Sequence, residues 1–556
     1  MFIALASHLT GGLCLRGASS GPATTSLKTT GPLHCIPLLL ALGLVAPSDV
    51  AAATVFPAAN CSPAAVQAAI NMASDGDMVV IPPGTCLWTS GVTIRNKGIR
   101  LLGGGSGRII ARSASIVTVG SGSKEFEIQS GLAITAGQIL RVSQLGTRSN
   151  FMEGAVISYS GTTLRINATN TGGSGTPKVW IVSTSPTTVI VNNGSGALID
   201  VEEDDTHPVE IGGIKMADGS GSGRRIEIRL RPLGALGRPV LLHDCWLEAG
   251  TGGDLIWTES NRGVIWNCSF DSSPFSLAQL AIHHQPDHIS DSWTTPSTMG
   301  SADTTGESNL YIEDSDFHAF IHATDFDDNA RAVMRHVVFN NAAIGTHGAD
   351  TSLWGLRHFE VYDSEFVFNG FSDLTTFSLN HWFFIRGGTF VVTNNVIPDI
   401  NSQDYGDKLE FEITVMNLQR NAGPNPCWGA GMPGIQYPAP RQPGFGYVTG
   451  TGLDGLGRST DFDAPRQILG TYVGDIEPMY IWNNTTNGVL NGAIRVDTSD
   501  YGECSDADAT ADYVQSGRDY FLNAGAKPGY MPFTYPHPLR TGGPAPSAPS
   551  NLRILP

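Results

Sequence analysis

Charge is scarce in this chain of 556 residues, and what there is leans acidic. Charged residues make up 15%, with 33 Lys and Arg against 51 Asp and Glu, a formal net charge of -18. Phosphate contact needs clustered Lys and Arg, so this balance speaks against nucleic acid as a partner. It also disfavours loose electrostatic capture of an acidic polymer, which would need a local basic groove or a bound cation. Long apolar runs are equally scarce. The one that stands out, residues 35–46, is too short to cross a bilayer, so no stable membrane insertion is expected. With Lys28 ahead of it and Ala51-Ala52-Ala53 behind, it reads as a signal peptide over residues 1–53, cleaved near Ala53 to leave a secreted, extracellular protein. The stretch ahead of the run is long for such a signal, which places the expected start of translation downstream of Met1. Gly103-Gly104-Gly105-Ser106-Gly107 lacks the lysine and the following helix of a phosphate loop, so it reads as a turn.

What the chain does have is glycine, 66 residues of it, and one short phrase that keeps returning. The phrase is His243-Asp244-Cys245-Trp246-Leu247, then Trp266-Asn267-Cys268-Ser269-Phe270, Glu313-Asp314-Ser315-Asp316-Phe317, Arg335-His336-Val337-Val338-Phe339, Tyr362-Asp363-Ser364-Glu365-Phe366 and Thr393-Asn394-Asn395-Val396-Ile397. Most steps lie near the 22–25 residues of a solenoid coil. The step from Cys268 to Ser315 is longer and reads as two turns, or as one turn carrying a loop. An Asn or Asp at a bend, followed by a large apolar residue on an alternating strand, predicts a polar ladder at a turn and a Phe column in the core. A solenoid grows by adding coils, so one long domain accommodates the length.

Ahead of the repeat, Ser62-Pro63 followed by Ala64-Ala65-Val66-Gln67-Ala68-Ala69-Ile70 predicts an N-capped helix that covers the open first coil. From Phe126 to Asn192 short strand-like runs between Gly, Ser and Asn turns predict a small antiparallel barrel or sandwich inserted between coils. The organisation expected is therefore a signal over 1–53, a cap and first coils over 54–125, the insert over 126–192, coils with long loops over 193–540 and a Pro/Ser-rich linker over 541–556. His283-His284-Gln285-Pro286-Asp287-His288 matches no metal-binding spacing and reads as a solvated loop. Loss of the signal leaves Cys61, Cys86, Cys245, Cys268, Cys427 and Cys504, an even number that favours disulfides in an exported chain. The expected pairs are Cys61 with Cys86, Cys245 with Cys268 on adjacent coils, and Cys427 with Cys504 by elimination. The middle pair equally reads as two reduced, buried thiols.

The repeat resembles the right-handed parallel β-helix of the pectate-lyase-like superfamily, in its secreted bacterial form. Ala330-Arg331-Ala332-Val333-Met334-Arg335-His336-Val337-Val338-Phe339, Thr346-His347-Gly348, Arg357-His358-Phe359-Glu360-Val361-Tyr362 and Arg386-Gly387-Gly388 are similar to segments of those proteins. The resemblance implies an all-β solenoid and a polysaccharide as partner. Between His322 and Glu360 reactive side chains crowd together, and two reactions fit them. In β-elimination on a uronic-acid polysaccharide the carboxylate beside the abstracted proton is neutralised by Arg or Ca²⁺, and a base takes the proton. Arg335 or His347 is the expected base, with Arg331 flanking the groove. Asp325, Asp327, Asp328 and Asp350 offer hard oxygen ligands to Ca²⁺. His322, Arg357, Trp354 and His336 are the expected substrate contacts. In hydrolysis by an inverting glycosidase, two carboxylates do the work. Asp327-Asp328 followed by His347-Gly348 is similar to part of the polygalacturonase pattern, but its Asn-Thr-Asp and Arg-x-Lys are missing, so this reading ranks second. A non-catalytic adhesin, tail-spike-like or surface protein is the third. Several of these residues also have a structural reading: Asp327-Asp328-Asn329 as a turn, His336 as a ladder residue, Arg331 and Arg357 as surface ion pairs, and His347-Gly348 as a turn with a hydrogen-bonded histidine.

Overall fold

The computed structural model describes residues 53–540 apart from residues 108, 145–146, 179, 205–207, 232–237, 250–253, 260–261, 273–279, 287–298, 301–302, 349–355, 368–380, 399–411, 416–442, 445–476, 487–488, 491–493 and 499–513. The signal segment and the linker, like Cys427 and Cys504, lie outside the described residues. The parallel strands form a 12-stranded sheet and a 16-stranded one. In the second, the strands Asp316–Phe326 and Val338–Thr346 are long enough to run through two successive faces of each coil. The molecule is therefore the right-handed parallel β-helix with a capping helix and an antiparallel insert. Its faces are the first sheet, here called face A, and the two halves of the second, faces B and C in chain order.

The returning phrase is the turn from face A to face B. Asp244, Asn267, Asp314, His336, Asp363, Asn394 and Asn483 all adopt φ between 47 and 56°, a left-handed conformation that Asn and Asp tolerate best. The following residue points inward, and where it is Ser or Asn its side chain bonds between rungs. Ser315 Oγ accepts the Cys268 N–H at 3.1 Å, Ser364 Oγ that of Val337 at 3.1 Å, and Asn395 Oδ1 that of Ser364 at 3.0 Å. The internal polar ladder thus sits one residue later than the Asn and Asp of the bend. Two residues beyond it lies the expected column, with Phe270, Phe317, Phe339 and Phe366 stacked at 4.7, 5.5 and 4.6 Å between ring centres. Phe317 is fully buried between two of these rings. Phe317→Ala is expected to cost about 3–5 kcal/mol in chemical unfolding, because the neighbours cannot close on the space left. The long step proves to be a single turn, since Cys268 and Ser315 are bonded on adjacent rungs.

The helix Pro63–Met72 forms as expected, with Ser62 as N-cap and Val66, Ala69 and Ile70 buried against the first coil. The Cys61–Cys86 disulfide ties it down. Cys245 and Cys268 are free, buried thiols, so the disulfide read for them is not formed and the reduced alternative holds. The antiparallel sheet starts earlier than expected, at Ile109, and ends at Thr184. Thr188–Asn192 instead lies parallel between Gly84–Trp88 and Lys215–Ala217, so it is already a coil strand. The chain leaves the helix through Gly103, where a side chain would meet the Gly213 carbonyl oxygen at 2.5 Å.

The outer surface of face A is covered across its middle rungs. The C-terminal segment up to Arg540 lies across it, with Phe533 packed on Val264, Tyr311 and Val333. Arg335 sits at the centre of this contact, fully buried. It bonds Glu313 at 2.8 and 2.5 Å and donates to the Tyr362 hydroxyl at 2.9 Å and to the carbonyls of Phe533 and Thr534 at 2.6 and 2.7 Å. Arg540 approaches Glu313 from the other side at 2.7 Å, and Tyr535 packs on the His336 ring at 3.8 Å. Nearby, burial pushes Glu360 up to about 7, although Tyr530 and the Gly300 N–H hydrogen-bond its carboxylate at 2.6 and 2.9 Å. A folded value above the ordinary 4.5 means stability that is complete below that value and is lost as pH rises through 7. Glu360→Gln removes this dependence, so its stability relative to the parent is expected to rise between acid and mildly alkaline pH in urea titrations.

Candidate functional site

The reactive residues of the 322–360 segment separate by face. Arg331, Arg335, His358 and Glu360 belong to strands of face A, where Arg331–Arg335 pairs with His358–Tyr362. Arg335, expected as a base, is the clamp described above, and its N–H groups are taken up by the chain itself. His336, expected at the substrate, is a turn residue under Tyr535. Arg357 is fully buried and donates to Glu477 at 2.8 Å. Burial and the neighbouring Arg357 push Arg331 down to about 9, and burial with both arginines drives His358 well below its ordinary value. Asp327, Asp328 and Asn329 make the corner between faces C and A. Asp327 Oδ1 accepts the Asp328 N–H at 2.7 Å, and Asp328 Oδ2 accepts from Gln285 Nε2 at 2.7 Å, so the turn reading applies to them. Asp350 and Trp354 lie outside the described residues.

What remains, His322, Asp325 and His347, comes together on the outer surface of face C. Asp325 and His347 lie one coil apart, and Asp325 Oδ1 bonds His347 Nδ1. Burial alone would raise the Asp325 carboxyl, but the hydrogen bond and charge of His347, with Arg386 and His283, outweigh it and hold Asp325 below its ordinary value. An ionised Asp on Nδ1 fixes the imidazole and leaves Nε2 for proton transfer. His322 lies over the backbone of Gly345, where a side chain would meet its ring at 2.8 Å. The His322 ring stands 5.6 Å from that of Phe384 and 5.9 Å from that of His381, all nearly parallel. Burial and then the Arg386 charge push His322 down to about 4, and burial, His322 and Arg386 push His381 down to about 3, so both imidazoles are neutral at neutral pH. Arg386 is anchored through Nε to the Thr346 carbonyl at 2.6 Å.

His283 and His284 are strand residues and not part of a loop. Leu280–His284 pairs with Ile256–Thr258 on one side and with His322–Phe326 on the other. His284 points inward and is fully buried, while His283 shares the outer row with Asp325 and bonds Asp254 at 3.2 Å. Sequence reasoning missed His381, and it noted Arg386 only as part of a similar segment. Among the described residues, no three His, Cys, Asp or Glu side chains gather so as to hold a metal ion. Asp325 bonds His347 and the Asp327-Asp328 pair forms a turn, while Asp350, the other residue expected at Ca²⁺, lies outside the described residues. No described helix is long and apolar enough to cross a membrane.

Fold and site together define a parallel β-helix with a histidine-rich, arginine-flanked outer face. No family model matches the sequence, and no curated protein matches it. Among solved structures, the chain is similar to an alginate lyase from Paenibacillus sp. str. FPU-7, at 10% identity over 80% of this chain and 99% of that one, with a TM-score of 0.34. It is also similar to the tailspike of Pseudomonas phage LKA1, at 13% identity over 65% and 67% with a TM-score of 0.17. A third is the tailspike of Acinetobacter baumannii bacteriophage AP22, solved with a capsular saccharide, at 9% identity over 79% and 76% with a TM-score of 0.14.

Proposed function

We propose that the protein is a secreted polysaccharide lyase that cleaves a uronic-acid-containing chain by β-elimination on the outer surface of face C. The observation that carries this reading is the Asp325–His347 pair, turned outward beside Arg386. His347 Nε2 takes the proton next to the sugar carboxylate, and Asp325 stabilises the imidazolium that forms. Arg386 faces the carboxylate and offsets the charge that develops on it, which needs a fixed cation in a partly dried site. Neutral His322 and His381, with Phe384, supply aromatic faces and hydrogen-bonding nitrogens to sugar rings and hydroxyls without adding charge. Elimination then breaks the glycosidic bond, the departing oxygen takes up a proton from the His347 imidazolium or from water, and an unsaturated sugar is left at the new end.

The test is incubation of the full chain with polymannuronate, polygalacturonate and neutral glucans. Ultraviolet absorbance of unsaturated ends, with a matching rise in reducing sugar, is the expected result on a polyuronate. Reducing sugar without that absorbance would make the protein a hydrolase, and binding without either product would make it a glycan-binding protein.

A further inference from the structure

The outer row that carries Asp325 continues toward the N-terminus through His283 and Trp257, which occupy matching positions on successive rungs. Rungs about 4.8 Å apart place Trp257 roughly 10 Å from Asp325, on the order of the length of a disaccharide. At that point the surface is a built plate. The Arg224 guanidinium lies 3.6 Å from the centre of the Trp257 ring, and its Nε and Nη1 face Asp254 at 3.8 Å and Glu227 at 3.1 Å. Asp254 also bonds His283 Nδ1, whose ring stands 6.3 Å from that of Trp257. The two carboxylates thus hold the guanidinium and the imidazole in place. Against this fixed frame, Trp257 Nε1 and His283 Nε2 are both buried without a hydrogen-bond partner. A buried indole N–H ordinarily finds an acceptor, so adjacent bare nitrogens beside a stacked guanidinium mark a place where a ligand supplies oxygen.

We infer that the Arg224–Trp257–His283 plate is a sugar-binding subsite that takes the ring and hydroxyls of a further unit of the same polysaccharide, which runs along the helix axis from the reacting unit at His347. This rests on the elimination reading and gives it a direction and a minimum substrate length. The plate holds the distant unit and leaves the reaction itself to Asp325, His347 and Arg386. It therefore acts on binding of chains long enough to reach it.

The experiment uses the full chain. Trp257→Phe keeps a smaller aromatic ring under Arg224 and removes the N–H, while Arg224→Ala removes the cation. In an active background, each is expected to raise KM for long polyuronate about tenfold with kcat held, and to leave KM for a short uronate oligomer unchanged. In a His347→Ala background, calorimetric titration with polyuronate is expected to show the same weakening, with dextran not bound. If no polymer yields product but polyuronate binding still depends on Arg224 and Trp257, the elimination reading falls and the subsite stands. If elimination proceeds with parental KM in both variants, the subsite falls and the elimination reading stands. A parent that binds no polyuronate overturns both.

Discussion

His347→Ala is expected to lower kcat on the polyuronate substrate by roughly a hundred- to ten-thousandfold, the usual worth of a positioned proton-transfer group, with KM little changed. The histidines nearest to it, His322 and His381, are poor replacements, because they are held neutral at about 4 and 3 and are therefore weak bases. Asp325→Asn keeps the shape of the pair but removes the charge that stabilises the imidazolium, so it is expected to lose activity as well, to a smaller extent. The difference between the two is read in steady-state rates of unsaturated-end formation. Equal, parental rates in both variants would remove the pair from the mechanism.

The second large effect concerns stability. Arg335→Leu leaves Glu313 fully buried with Arg540 as its remaining cationic partner, and frees the carbonyls of Phe533 and Thr534. Breaking a buried pair on one side is expected to cost about 3–5 kcal/mol in urea unfolding, and the C-terminal segment is expected to become sensitive to protease. Removing Glu313 as well should recover part of the loss, since no buried charge is then left unmatched. The unsaturated-end assay on folded Arg335→Leu is expected to give parental kcat, because the clamp lies on face A and the reacting groups lie on face C. A parental unfolding midpoint would contradict the structural role assigned to Arg335.

Much of the fold was legible because the bend chemistry is local. Asp244, Asn267 and their relatives need a left-handed backbone, and the Phe residues that follow them must share one side of a strand. The site was less legible, because the face a side chain takes depends on register along the whole coil. The strand Asp316–Phe326 shifts register between Phe320 and Thr324, so counting alternation from Phe317 does not predict that Asp325 faces outward. The polygalacturonase-like pattern grouped Asp327-Asp328 with His347, but Asp328 has already turned the corner, and Asp325 is the residue one coil from His347. Arg335 has the composition of a catalytic residue and the surroundings of a clamp, a distinction made by Phe533 and Thr534, nearly two hundred positions away. His381 is more than two coil lengths from His322 in sequence, so spacing alone carries no trace of their stacking. His283 read as part of a polar loop because a strand as short as Leu280–His284, ending in two histidines, has no clear alternation.

Chemistry takes place on the outer surface of face C, around Asp325 and His347, if the proposed function holds. A crystal structure of His347→Ala with a bound oligouronate tests it most directly. The account predicts a sugar carboxylate against Arg386, with the ring over His322 and Phe384. A saccharide bound instead at the Asp327-Asp328 corner, or on face A beside Arg331 and Arg357, would contradict it.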